Sequence, residues 1–68
     1  MFQSVNYVIG ETVLFTDRNN LPIPRVGELV EFEGKWYKVR QVYYTYKNLS
    51  RDDICCFIEV NLEKTEFK

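Results

Sequence analysis

The sequence predicts an all-β domain in which four or five short antiparallel strands form one strongly bent sheet or a small barrel. Segments that alternate apolar and polar residues, rich in β-branched and aromatic side chains, recur along the chain. Gly, Pro and Asn separate these segments at short intervals, and no segment sustains an apolar period of 3.6 residues. Bending or closure removes the open edges that a short flat sheet would leave.

Length and composition predict one small folded domain over residues 1–68. A chain of this size buries only about 60% of its unfolded surface, and its 46% apolar share with five Tyr, five Phe and one Trp argues against disorder. The net charge of −1 disfavours a general nucleic-acid binder, which is usually strongly basic. There is no apolar run of about 18 residues and no signal-peptide pattern, so we expect a cytoplasmic protein without membrane contact.

The strands can be placed in order along the chain. A first β region covers residues 2–15, with Gly10-Glu11 as a turn or bulge inside it, and the polar residues 17–20 form a turn. The two prolines of residues 21–24 hold that segment extended at an edge. Residues 29–32 form the next strand, and Gly34 supplies the positive φ of a tight hairpin.

The C-terminal half continues with a long strand and a final strand. The long strand covers residues 36–46, a polar loop covers residues 47–53, and the final strand covers residues 54–63. A helical turn is possible only at residues 49–54.

The facing of the side chains follows from the period of two in a strand. In the final strand one face carries the apolar residues Ile54, Cys56, Ile58, Val60 and Leu62. In the strand before the hairpin, Val30 and Phe32 point inward.

The long strand changes phase, because Tyr37 and Val39 have the opposite parity to Val42, Tyr44 and Tyr46. A β-bulge at Arg40-Gln41 would bring all five to the core side. The outward set is then Trp36, Lys38, Arg40, Tyr43, Thr45 and Lys47.

The adjacent Cys55 and Cys56 are predicted to be free thiols. Neighbouring cysteines form a strained disulfide, and in a strand they point to opposite faces. We therefore expect one of them in the core and the other near the surface, in a reducing compartment. No second pair of ligands accompanies them, so no metal or cofactor is predicted.

The residue types exclude most catalytic chemistry. The chain has no His, the commonest general base and metal ligand. Ser4 and Ser50 lack a nucleophile-elbow setting, and no Gly-rich phosphate loop is present. Asp52-Asp53 fit a solvated loop, and the acidic residues of the strands fit charges that protect sheet edges; these are Glu31, Glu33, Glu59 and Glu63. We expect a protein that is not an enzyme and has no catalytic residues.

The run PRVGELVEFEGKWYKVRQVYY, followed by FIEVNLEK, resembles the SH3-like small β-barrel pattern. A Pro-x-x-Gly-acidic turn there leads into a strand, a Gly hairpin and a Tyr-x-Val strand. The chain is particularly similar to short uncharacterised proteins encoded by bacteriophages and mobile elements, over residues 21–64. The resemblance implies a barrel fold and a phage protein in the host cell cytoplasm, and it supplies no catalytic residues.

The segment Lys35–Asn48 poses the functional question, because it has five aromatic and four cationic residues and no carboxylate. Its outward residues form a candidate protein-binding strip, made of Trp36, Lys38, Arg40, Tyr43 and Lys47. Trp, Tyr and Arg are enriched at interface hot spots, and mixed charge suits docking on a protein.

We therefore expect a protein-binding module, in the form of a phage-encoded inhibitor or adaptor that acts on a host protein or defence system. Two alternatives remain open. One is a small barrel that binds single-stranded nucleic acid by stacking bases on aromatic side chains. The other is a homo-oligomer, either a self-associating phage structural subunit or one that holds a small ligand between its copies.

Overall fold

The computed structural model describes residues 2–19, 21–48 and 54–65. These described residues form five strands: β1 (Phe2–Ile9), β2 (Thr12–Asp17), β3 (Leu29–Phe32), β4 (Lys35–Asn48) and β5 (Ile54–Lys64). They make one strongly curled sheet that forms a half-barrel, so the predicted all-β class is confirmed. In the described ranges there is no helix that could cross a membrane.

The strand order is β2-β1-β5-β4-β3, with β5 at the centre. Three of the pairings are antiparallel, and the pairing of β1 with β5 is parallel. The sheet is therefore mixed, whereas the sequence predicted antiparallel strands throughout. Three other strands separate β1 from β5 along the chain, so no hairpin turn fixes their relative direction.

Two tight hairpins confirm the predicted turns. Gly10, with φ 59°, and Glu11 connect β1 to β2, which splits the predicted first β region into two strands and extends it to Asp17. Glu33 and Gly34 connect β3 to β4 with φ of 50° and 81°. Two successive positive φ values are the signature of a type I′ turn, whose twist matches that of the strands it joins.

The predicted bulge in β4 is confirmed. Val39 pairs with Leu62 and Gln41 pairs with Asn61, so Arg40 is the extra residue. Five residues of β4 consequently share the inner face of the sheet; they are Tyr37, Val39, Val42, Tyr44 and Tyr46. A second register shift between Tyr7 and Val8, opposite β2, was not predicted.

The core lies on the concave face of the half-barrel. Val5, Val39 and Val60 are at most 1% exposed and mark its centre, where β1, β4 and β5 meet. The other buried members of the cluster are Tyr7, Tyr37, Cys56, Ile58 and Leu62. Val30 and Phe32 pack against this cluster as predicted, and the extended proline segment contributes Ile23.

Two expectations about the C-terminal half need correction. Cys55 and Cys56 are free thiols as predicted, but both are buried. Cys55 lies on the convex face, and β5 is the central strand, so neighbouring strands flank this small side chain on both sides. Lys47 and Asn48 belong to β4 rather than to a loop. The helical turn predicted at residues 49–54 lies outside the described residues except for Ile54, which begins β5. Asp52-Asp53 also lie outside the described residues.

Candidate interaction surface

Strand β4 extends far beyond the neighbour on its outer side. It has 14 residues, whereas β3 has four and pairs only with residues 35–38. The segment before β3 adds two bonds: the Gly27 N–H donates to the Val39 carbonyl, and the Val39 N–H donates to the Glu28 carbonyl, both at 2.9 Å. Beyond Val39, no described residue pairs with the outer side of β4. We call this stretch, residues 40–47, the free edge.

The direction of the backbone groups along the free edge follows from Val39. Its side chain faces the core while its N–H and C=O point away from β5. Side-chain direction and hydrogen-bond direction alternate together along a strand. After the bulge, Val42, Tyr44 and Tyr46 share the face of Val39, so their N–H and C=O groups also point away from β5. The free edge therefore presents three residues with outward-facing donors and acceptors.

The concave side of the free edge carries two exposed tyrosines. Tyr44 and Tyr46 lie on the predicted face but are 50% and 67% exposed, so the expectation that they belong to the core was wrong. The short β3 does not reach this end of β4, and no other described strand covers it. The two rings stack on each other with centroids 6.4 Å apart.

The convex side of β4 carries the predicted strip. Lys38, Arg40, Tyr43 and Lys47 are exposed, and Trp36 is half-buried. Thr45 is exposed on the same face. The structure therefore brings all five predicted strip residues onto one face of one strand.

The charge of the strip is partly neutralised by β5. Glu63 pairs with Lys38 in the ladder, and its Oε2 lies 3.8 Å from the Arg40 Nε in an exposed ion pair. Glu59 lies directly opposite Tyr43. The predicted acidic residues of β5 are therefore neighbours of the cationic strip, so the convex face alternates in charge.

Tyr43 lies between two shallow depressions of the convex face. The larger, of about 410 Å³, is lined by Asn6, Tyr43, Thr45, Phe57, Ile58 and Glu59. The smaller, of about 210 Å³, is lined by Gly10, Arg40, Gln41, Tyr43, Asn61 and Leu62. The Tyr43 hydroxyl donates to the Gln41 side-chain carbonyl, which orients the phenol along the strand.

Phe57 is a surface residue that the sequence analysis did not include in the strip. It is 41% exposed, and the Lys47 Nζ lies 5.8 Å from the centroid of its ring. Its parity, opposite to that of Cys56 and Ile58, was the signal that could have identified it. Phe57 widens the strip from one strand to two.

The donor chemistry for a metal is limited. Among the residues that the structure describes, no three His, Cys, Asp or Glu side chains come close enough together to hold a metal ion. The convex face carries aromatic rings, an ion pair and hydrogen-bonding side chains.

Comparison of the chain with family models, with curated proteins and with solved structures found no significant match. The resemblance to SH3-like barrels and to phage proteins therefore stays a prediction from the sequence, and the site must be interpreted from its own geometry.

Proposed function

We propose that this protein is a non-enzymatic protein-binding module that contacts its partner through the convex strip of β4. Tyr43 carries the proposal, because it is 49% exposed on a strand anchored by the core, and its hydroxyl is held by Gln41. A rigid aromatic ring with a polar end buries a large area at low entropic cost, which makes Tyr a frequent interface hot spot. Phe57 enlarges the contact area.

The charge pattern favours a protein over a nucleic acid. A base stacked on Tyr43 would bring its phosphates toward Glu59, the neighbour of Tyr43 in the ladder. Two like charges separated by 4 Å repel by about 1 kcal/mol even in bulk water. Glu63 already forms an ion pair with Arg40 and would compete with a phosphate for this cation. A protein surface can present both signs of charge and therefore complements an alternating face.

The biological setting of the proposal comes from the resemblance to phage-encoded proteins. A small module without catalytic chemistry acts by occluding or recruiting its partner. We propose an inhibitor or adaptor directed at a host protein or defence system in the host cytoplasm.

Affinity capture with the purified chain as bait tests the proposal. We expect the wild-type chain to retain a defined host protein, and the variant Tyr43→Ser/Lys47→Ser to lose it. Val13→Ser is the matched control, because Val13 is 52% exposed on β2, away from the strip. Capture that is equal for the strip variant and for the control would overturn the proposal.

Trp36→Ala gives an independent reading of the strip. Trp36 is half-buried, and its removal could disturb the fold. The circular dichroism spectrum of the Trp36→Ala variant must therefore first match that of the wild type. A folded Trp36→Ala variant should lose the captured protein. A variant that folds and still captures the protein would remove Trp36 from the contact surface.

A further inference from the structure

We propose that the free edge of β4 is a second recognition element, which binds an extended segment of a partner protein as an added antiparallel strand. The segment carries carboxylates on the side aligned with the convex face and apolar side chains on the side aligned with the concave face. This inference rests on the proposed function and names the class of partner. Strand addition recognises a partner through main-chain hydrogen bonds, with side chains giving specificity.

The hydrogen-bonding capacity of the free edge is the first argument. Val42, Tyr44 and Tyr46 direct their N–H and C=O groups away from β5, and in the described part of the chain these groups have no partner. Unpaired edges template the addition of another strand, and proteins usually block them with prolines, charged side chains, bulges or coverage. On the free edge the bulge at Arg40 and the charged Lys47 stand only at the two ends, and residues 41–46 between them contain no proline and no charged side chain.

The exposed apolar surface is the second argument. On the concave face, Tyr44 and Tyr46 are at least half exposed, and Ile54 of β5 is 44% exposed beside them. An added strand would place its inward side chains next to these rings. Aromatic and β-branched cross-strand pairs are favourable on such a surface.

Charge selects the chemistry of the occupant. Arg40 and Lys47 stand at the two ends of the free edge, and β4 contains no carboxylate. An added strand lies about 5 Å from β4 but about 10 Å from β5, where Glu59 and Glu63 are. The Debye length at physiological salt is about 8 Å, so the partner senses the cations of β4 more strongly than the acids of β5. A second copy of β4 would instead bring cations toward cations.

The register defines a peptide that tests the inference with the full 68-residue chain. On the convex face Gln41 and Lys47 are six residues apart, and Tyr43 and Thr45 lie between them. Gln41 is next to the cationic Arg40. The matching seven-residue peptide is EVTVTVE, acetylated and amidated, whose valines meet the concave side. Titration monitored by amide chemical shifts should give saturable shifts at Val42, Tyr44 and Tyr46. The absence of saturable shifts up to about 1 mM peptide would overturn the inference.

Three matched controls separate strand addition from nonspecific binding. The peptide KVTVTVK should bind on the order of tenfold more weakly, because it exchanges two attractions for two repulsions. N-methylation of the three valines should abolish the shifts, because in an antiparallel pair these amides face β4. N-methylation of the two threonines should leave the shifts, since their amides face away. Equal binding by all these peptides would overturn the inference.

Variants of the protein test the same edge. Tyr44→Pro removes one outward N–H without breaking the ladder with β5, because proline is tolerated where the N–H faces solvent. It should lose the peptide response, whereas Tyr44→Val, which keeps the N–H, should retain it. A wild-type chain that light scattering shows to be a dimer, with Tyr44→Pro a monomer, would assign the edge to a second copy and overturn the inference.

The outcome can be separated from that of the proposed function. Strip variants that lose a captured protein, combined with a peptide that shifts no β4 amide, would refute strand addition and leave the protein-binding function standing. A peptide that binds the free edge while no capture depends on the strip would support strand addition and refute the strip as the contact surface.

Discussion

Phe15 and Phe32 stack with ring centroids 4.5 Å apart and planes inclined by 9°, although their strands lie at opposite ends of the sheet. Tyr7 stacks on Phe15 with a centroid distance of 4.3 Å, which extends the contact into a stack of three rings. The described residues of β2 and β3 form no ladder with each other. Side-chain stacking, rather than backbone pairing, therefore joins the two edges of the half-barrel.

We predict a measurable coupling between Phe15 and Phe32. In a double-mutant cycle with Phe15→Leu and Phe32→Leu, the coupling should be about 0.5–1.5 kcal/mol, the usual value for an aromatic pair beyond its area burial. Urea unfolding of the four proteins gives this value. The cycle of Phe15→Leu with Phe57→Leu is the control and should be additive, because Phe57 lies on the convex face of β5. A coupling near zero for the first pair would show that the stack does not hold the edges together.

The β3–β4 turn should be stabilised by Glu33→Asn. Glu33 has φ 50°, a left-handed conformation that costs most residues about 1–2 kcal/mol and that Asn adopts more readily. Asn-Gly is the preferred pair for a type I′ turn, so we expect the free energy of unfolding to rise by about 1 kcal/mol. Chemical denaturation measures the change.

Two further variants of the turn serve as controls. Glu33→Gln removes the charge without favouring positive φ and should leave stability unchanged. Gly34→Ala should destabilise through the backbone alone, because a Cβ at Gly34 meets no atom within 4 Å. If Glu33→Gln raised the free energy of unfolding as much as Glu33→Asn does, the stabilisation would come from removing the charge and not from the backbone conformation.

Tyr7 makes stability depend on pH in the alkaline range. Burial, and secondarily the nearby Asp17 carboxylate, raise the pKa of Tyr7 above its ordinary value of 10.0. Above that pH the unfolded chain loses the phenolic proton while the folded chain keeps it. The folded state then binds more protons, so the free energy of unfolding falls as pH rises from 10 toward and through the folded pKa.

Urea unfolding in reducing buffer between about pH 8 and pH 11 measures this dependence. Tyr7→Phe should show a smaller fall over that range than the wild type. The control variant Tyr46→Phe keeps Tyr7 and Asp17 in place, so its free energy of unfolding should fall with pH as that of the wild type does. If the free energy of unfolding fell equally for the wild type and for Tyr7→Phe, Tyr7 would not be the source of the pH dependence.

Local rules account for what the sequence could predict. The alternation of residues 54–63 identified the inward face of β5, and the parity change within β4 located the bulge at Arg40. Gly34 marked the hairpin, because positive φ is costly for other residues. The membership of the convex strip followed from the same period of two.

The features that the sequence could not predict depend on contacts between segments that are distant along the chain. The parallel pairing of β1 with β5 depends on how distant segments pack, and no local pattern encodes it. Tyr44 and Tyr46 have the parity of core residues, but their exposure depends on the length of β3, which ends before it reaches them. For the same reason the free edge of β4 could not be seen in the sequence, since an edge is defined by the absence of a neighbouring strand.

We predict that the carboxylates of Glu59 and Glu63 on β5 prevent the convex strip from binding nucleic acid. Glu59 lies opposite Tyr43, and Glu63 lies 3.8 Å from Arg40. We expect the variant Glu59→Gln/Glu63→Gln to bind a fluorescent oligothymidine on the order of tenfold more tightly than the wild type at low salt, because two repulsions are removed. Fluorescence anisotropy measures this affinity, which should fall steeply between about 50 mM and 200 mM salt.

The variant Glu28→Gln/Glu33→Gln has the same net charge as Glu59→Gln/Glu63→Gln. Glu28 precedes β3 and Glu33 lies in the β3–β4 turn, so neither is a ladder neighbour of Tyr43. Compared at about 100 mM salt, this variant should gain less affinity, because repulsion between exposed charges is largely screened beyond about 10 Å. Equal gains for both variants would mean that net charge, rather than the placement of Glu59 and Glu63, controls binding. Tight, salt-sensitive binding by the wild-type chain itself would favour the nucleic-acid alternative over a protein partner.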